Sequence, residues 1–122
     1  GGSAKPFELH ARWTVRIHTE FFRQGDSERD LELPCSPFCD RRGTDISESQ
    51  CGFFDFIVAP IYSALDECFA NFFMRREVLP ELEKNKAFWK NFDGSRYDYA
   101  APHFTTTNVE LLSGAFLAVT PV

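Results

Sequence analysis

Residues 49–60 read Ser49-Gln50-Cys51-Gly52-Phe53-Phe54-Asp55-Phe56-Ile57-Val58-Ala59-Pro60. The run is apolar apart from its first residues and Asp55, and it has the length and spacing of a helix. On a helix, positions three and four apart share a face, so Gln50, Phe53 and Ile57 point the same way. A carboxamide carries a donor and an acceptor side by side. Beside an apolar slot it offers what a flat purine base needs: edge hydrogen bonds and a surface on which to lie.

Outward from this stretch the chain reads as helices. Asp45 followed by Glu48 has capping-box spacing, with Asp in place of the usual Ser or Thr, and predicts a helix from there to about Val58. Pro60 should break or kink it. Upstream, a first helix is expected to begin near Pro6 and to end before Gly25. Phe7, His10, Trp13, Ile17 and Phe21 recur at intervals of three or four and define its inner face, opposite Arg12, Arg16, Glu20 and Arg23. The segment from Asp26 to Arg42, with Pro34 and Pro37, reads as an anchored loop that could hold a helical turn around Ser27 to Leu31.

Downstream, Ile61 to about Phe73 is expected to be helical, with Ile61, Leu65, Cys68, Phe69 and Phe72 inward. A further helix over about Val78 to Phe92 would use Leu79, Leu82, Ala87, Phe88 and Phe92, with Pro80 in its first turn. Beyond Gly94 the pattern weakens. Thr105 to Thr107 and the apolar stretch from Leu111 to Val119 fit a strand, a short helix or an unmatched tail. The expected class is all-α.

Composition limits the alternatives. The 122 residues include 14 Phe, 2 Trp and 3 Tyr, ring surface that a packed protein buries at about 25 cal/mol per Å². A formal net charge of −5 argues against a general nucleic-acid binder or a partner of acidic membranes, both of which display basic patches. No apolar run reaches the roughly 18 residues of a membrane span, and no signal-peptide pattern opens the chain, so a soluble, cytoplasmic protein is expected. The 4 cysteines favour neither a disulfide framework nor a zinc site: Cys35 and Cys39 lack a second pair or a nearby His, and Cys51 reads as a buried free thiol.

Together with Phe21-Phe22-Arg23-Gln24-Gly25-Asp26 and Leu33-Pro34-Cys35-Ser36-Pro37-Phe38-Cys39-Asp40-Arg41, the opening stretch resembles the C-terminal part of the catalytic domain of class I 3',5'-cyclic-nucleotide phosphodiesterases, nearest to the calmodulin-dependent branch. The similarity runs from about Ala4 to about Phe92, and it implies the C-terminal helical subdomain of that all-α catalytic fold (HD-domain, PDEase-like) over residues 1–92, with 93–122 unassigned. It further implies that Gln50 hydrogen-bonds the purine, that Phe53 forms one wall of a clamp on the base with Ile17 opposite, and that Trp13, His10, Thr14, Phe21, Pro37 and Phe38 match pocket-lining positions. His10 stands where the family often has tyrosine, and reads as a packed, hydrogen-bonded side chain rather than a ligand.

The resemblance also implies two divalent metals, zinc and magnesium, held by two His and two Asp of the complete domain. Among the 3 histidines, His10, His18 and His103, none lies in an HNxxH or HD context, and the family's last metal-binding Asp falls just before Gly1. No catalytic or metal-ligating residue is therefore expected in this chain, which would be the purine-binding fragment, inactive alone. Its partners would be cyclic AMP or cyclic GMP and the upstream metal-binding part of the same domain. Gly2-Ser3 departs from the family's Asn-Pro or His-Pro, which leaves pocket contacts from the first three residues unsupported. The alternative reading is a non-catalytic helical interaction or nucleotide-binding module derived from the same fold.

Overall fold

The computed structural model describes residues 2–69, 72–101 and 103–119. Gly1, residues 70 and 71 of the expected third helix, and residues 120–122 of the tail lie outside the described residues. Every regular element among the described residues is helical: α1 (Phe7–Asp30), α2 (Ile46–Phe53), α3 (Ala59–Phe69), α4 (Leu79–Asn91) and α5 (Thr106–Val119), with π-helical turns at Phe54–Val58 and Met74–Val78 and short 3-10 turns at Gly2–Ala4 and Gly94–Arg96.

α1 starts one residue after Pro6 but runs through Gly25 to Asp30, past the expected stop. Gly25 is buried, and a Cβ there would collide with the backbone carbonyl of Cys39. Its role is close approach of the following loop, so it does not terminate the helix. The stop is built from Glu32 at φ 58. The Glu32 N–H donates to the Arg29 carbonyl at 2.9 Å and the Leu33 N–H to the Glu28 carbonyl at 2.8 Å, the paired bonds of a Schellman motif.

The buried face of α1 is also rotated from the expected one. Phe7, His10, Ala11, Thr14, Val15, His18, Thr19, Phe22 and Gly25 are buried, whereas Trp13, Ile17 and Phe21 stand 56%, 50% and 38% exposed. Small and polar residues hold the packed face because α4 and α5 press closely on it. The larger apolar ridge has no covering helix among the described residues.

Asp45 caps α2 as expected, its Oδ1 accepting the Ser47 and Glu48 N–H groups at 2.8 and 3.1 Å. Pro60 does not end this helix. The backbone widens into the π turn, where the Ala59 N–H reaches back to the Phe54 carbonyl, and continues as α3. An α-helical Pro would remove a ladder bond and crowd the preceding turn, and the wider turn lies immediately before it. The expected inner face of α3 is a correction: Ile61, Cys68, Phe69 and Phe72 are exposed and Leu65 only half-buried, since apolar spacing marks a face that wants a partner but does not supply one.

On α4, Pro80 sits in the first turn and Leu82, Phe88 and Phe92 enter the core. Ala87 is exposed, and Trp89 takes the central place at 1% exposure. The tail resolves into helix: α5 runs antiparallel to α1, with Phe116 stacked on Phe7 at 4.2 Å and Val109 and Leu112 in the same core as Ile46, Phe54 and Trp89.

Candidate functional site

Gln50 lies just past the first turn of α2 and is only 6% exposed. Its carboxamide nevertheless has no hydrogen-bond partner among the described residues. Neither amide atom is among the fully buried polar atoms left without a partner, which among the described residues are Asn85 Oδ1 and Ser113 Oγ, so the carboxamide keeps an edge open to solvent or to a ligand.

The neighbouring residue locks this helix to α1. The Thr14 carbonyl can only accept, so His18 Nδ1 carries the proton it shares with that carbonyl at 2.9 Å. Nε2 is then the acceptor, taking the Ser49 hydroxyl proton at 3.2 Å. Burial pulls the His18 pKa below its ordinary value, with the Thr14 carbonyl opposing, which keeps the ring neutral and this tautomer in place. The Phe21 ring stands edge-on to His18 at 6.3 Å. Through His18, the Thr14–Phe21 stretch of α1 and the Ser49–Gln50 stretch of α2 are fixed to each other. The sequence reading passed over His18. Its signal was a histidine four residues after a threonine within an apolar helix, the spacing of a side-chain bond back to the preceding turn.

Around this link stand exposed apolar side chains. Trp13, Ile17 and Phe21 follow one another at four-residue intervals on α1. Phe53, 41% exposed, and Ile57, 49% exposed, continue the face that Gln50 begins. Phe53 meets the fully buried Phe54 ring edge-on at 6.5 Å, which limits how far it can swing. Arg16 rises from the same side of α1, its guanidinium over the Phe104 ring at 4.7 Å and near Trp13 at 5.9 Å.

The remaining candidates are placed differently. Thr14 is buried, its carbonyl committed to His18. His10 is buried among Phe7, Phe54 and Trp89, its Nε2 accepting the Trp89 indole N–H at 2.8 Å. Desolvation lowers its pKa from 6.5 to about 4, against the smaller opposing effect of a hydrogen bond donated to the Gly2 backbone carbonyl, so at neutral pH the ring is uncharged, with Nε2 an acceptor facing the core. Phe38 is 57% exposed at φ 65 in the loop after α1, and its ring meets no other ring among the described residues.

The histidines do not fit a metal centre. His10 and His18 spend their nitrogens on protein partners, His103 is exposed, and among the described residues no group of three or more His, Cys, Asp or Glu could hold an ion. A separate depression of about 440 Å³ between α4 and α5 is lined by Phe88, Phe92, Arg96, Leu111 and Ala115 among others and includes none of the candidate residues.

Comparison with known proteins bears on the same region. The family model described as 3'5'-cyclic nucleotide phosphodiesterase matches residues 1–77. Over 64 residues the chain is 53% identical to the dual specificity calcium/calmodulin-dependent 3',5'-cyclic nucleotide phosphodiesterase 1C of Homo sapiens, covering 52% of this chain and 9% of that protein. Over 63 residues it is 52% identical to the dual specificity calcium/calmodulin-dependent 3',5'-cyclic nucleotide phosphodiesterase 1B of Bos taurus, covering 52% of this chain and 12% of that protein. The chain thus spans only about a tenth of the length of the curated relatives it matches.

Proposed function

Because the chain belongs to the 3'5'-cyclic nucleotide phosphodiesterase family, we propose that it is the purine-binding part of an enzyme that hydrolyses cyclic AMP or cyclic GMP to the 5'-nucleotide. The observation that carries this reading is the carboxamide of Gln50, on a largely buried side chain yet unpaired by protein among the described residues, on the same helical face as the exposed ring of Phe53. Gln50 reads the base edge, and Phe53 and Ile17 form the walls of the clamp. Stacking of this kind adds about 0.5–1.5 kcal/mol beyond area burial, suited to a substrate that must leave as product. No protein group among the described residues holds the amide in one orientation, so it can turn its nitrogen to the guanine carbonyl or its oxygen to the adenine amino group. This agrees with the dual specificity that the relatives' names carry.

The zinc and magnesium of the complete domain are held by residues outside this chain, a reading supported by His10 and His18 spending their nitrogens on protein partners. The metal-binding part covers the exposed apolar surface beside the clamp, with Trp13 and Phe21 at its edge. The reading includes a cytoplasmic location, supported by the acidic charge and by the absence, among the described residues, of a helix long and apolar enough to cross a membrane.

Titrating the isotopically labelled chain with cyclic AMP and cyclic GMP tests the assignment. Saturable shifts at the Gln50 side-chain amide and at Phe53 are expected, with binding lost in Gln50→Ala and no hydrolysis by the chain alone. Affinity unchanged in Gln50→Ala refutes the base-reading role. Gln50-dependent hydrolysis by the isolated chain refutes the division of labour. Absence of nucleotide binding altogether favours the non-catalytic interaction module.

A further inference from the structure

The first N–H groups of a helix have no partner within it, and in α2 these lie only a few residues before Gln50. Asp45 serves those of Ser47 and Glu48, and its carbonyl accepts that of Ser49 at 3.0 Å. The Ile46 N–H, the remaining one, donates at 3.0 Å to the Tyr99 hydroxyl, which donates its own proton to the Gly94 carbonyl at 2.8 Å. The Ser47 hydroxyl donates to the Phe92 carbonyl at 2.9 Å. Gly94 is buried so closely against Asp45 that a Cβ there would strike the capping carboxylate.

The other side of Tyr99 is fastened to α1. Its ring lies 5.9 Å from that of Phe22 and 5.1 Å from that of Tyr97. Arg41 sits over the same Phe22 ring at 5.5 Å, hydrogen-bonds the carbonyls of Tyr99 and Ala101 and pairs with Asp26 of α1. Tyr99 therefore touches both α2, which carries Gln50, and α1, which carries Ile17 and Phe21. It also lies beyond residue 77, where the family match ends.

We propose that Tyr99 is a positioning residue for purine recognition: its hydroxyl pins the start of α2 to the Gly94 carbonyl while its ring packs on Phe22 of α1, and together these fix where the Gln50 carboxamide meets the base. The inference rests on the base-reading role of Gln50, and the test separates the two. Tyr99→Phe keeps the ring packing and removes both hydroxyl bonds. In the 122-residue chain, amide exchange at Ile46 should accelerate about three- to tenfold, and the Kd for cyclic AMP and cyclic GMP should rise by a similar factor, the scale of one lost hydrogen bond. In a Gln50→Ala background the same substitution should change Kd less than about twofold, because the two residues act as a unit.

Unchanged exchange at Ile46 overturns the proposal. Equal weakening of binding in both backgrounds also overturns it, since Tyr99 would then act through general stability. If Gln50→Ala weakens binding and Tyr99→Phe does not, only the positioning role falls. If Gln50→Ala leaves affinity intact, the base-reading assignment fails and the positioning role falls with it.

Discussion

Acidification from pH 7 to pH 5 should destabilise this protein through His10, with a magnitude set by where the ring lies. The folded chain buries the imidazole and lowers its pKa from 6.5 to about 4, while the unfolded chain exposes it. Below pH 6.5 the unfolded state takes up a proton that the folded state refuses, so stability is complete above 6.5 and is lost as pH falls toward about 4. At about 1.4 kcal/mol per pKa unit the full loss is about 3 kcal/mol, and about 2 kcal/mol of it has occurred by pH 5. The His18 pKa is lowered in the same direction, so the His10 share needs a reference. His10→Gln supplies one: an amide oxygen can still accept the Trp89 indole N–H, and it does not titrate in this range. Urea unfolding of both proteins between pH 7 and pH 4.5 should show wild type losing about 2 kcal/mol more than the variant on going to pH 5. Parallel pH profiles would refute the reasoning, because His10 would then have to be protonated alike in the folded and unfolded states.

Three other variants test the packing. Gly25→Ala, which in an ordinary helix gains roughly 0.5–1 kcal/mol, should instead cost about 1–3 kcal/mol by driving α1 from the Cys39 carbonyl, a difference that thermal circular dichroism resolves in sign alone. Arg41→Lys cannot serve Asp26 and two carbonyls with one fork and should cost about 1–3 kcal/mol in chemical denaturation; a neutral result would mean that the loop holds without it. Trp13→Ser with Phe53→Ser should leave stability within about 0.5 kcal/mol, both sites being exposed, while shifting the isolated chain from concentration-dependent association toward monomer in light scattering. A wild-type chain that is monomeric at every concentration would contradict that reading of the ridge.

Local rules carried the elements far. The Asp45 cap, the start of α1 at Pro6, Pro80 in the first turn of α4 and the helical character of residues 49–60 depend on neighbours within a turn, and each was legible in the sequence. The candidate site was legible where a residue type is unusual for its setting, as with a glutamine on an apolar helix. Apolar periodicity proved ambiguous on α1, because it identified a face without saying what covers it. Trp13, Ile17 and Phe21 were assigned inward on hydropathy, yet the inward places went to Ala11, Thr14, His18 and Gly25, whose small or paired side chains admit close neighbours. Gly25 carried the same ambiguity: a glycine that ends a helix and one that lets a carbonyl approach look identical in sequence.

What the sequence determined by itself was the all-α class, the family resemblance and the pairing of Gln50 with Phe53 on one helical face, all consequences of short-range spacing. Only the tertiary structure decided that Gln50 is largely buried with its amide unpaired among the described residues, that His18 links α1 to α2, that His10 turns into the core, and that a tyrosine nearly fifty residues downstream caps the Gln50 helix. Those facts depend on which distant residues share a neighbourhood, and desolvation and hydrogen-bond pairing act through distance in space, which the order of residues does not contain.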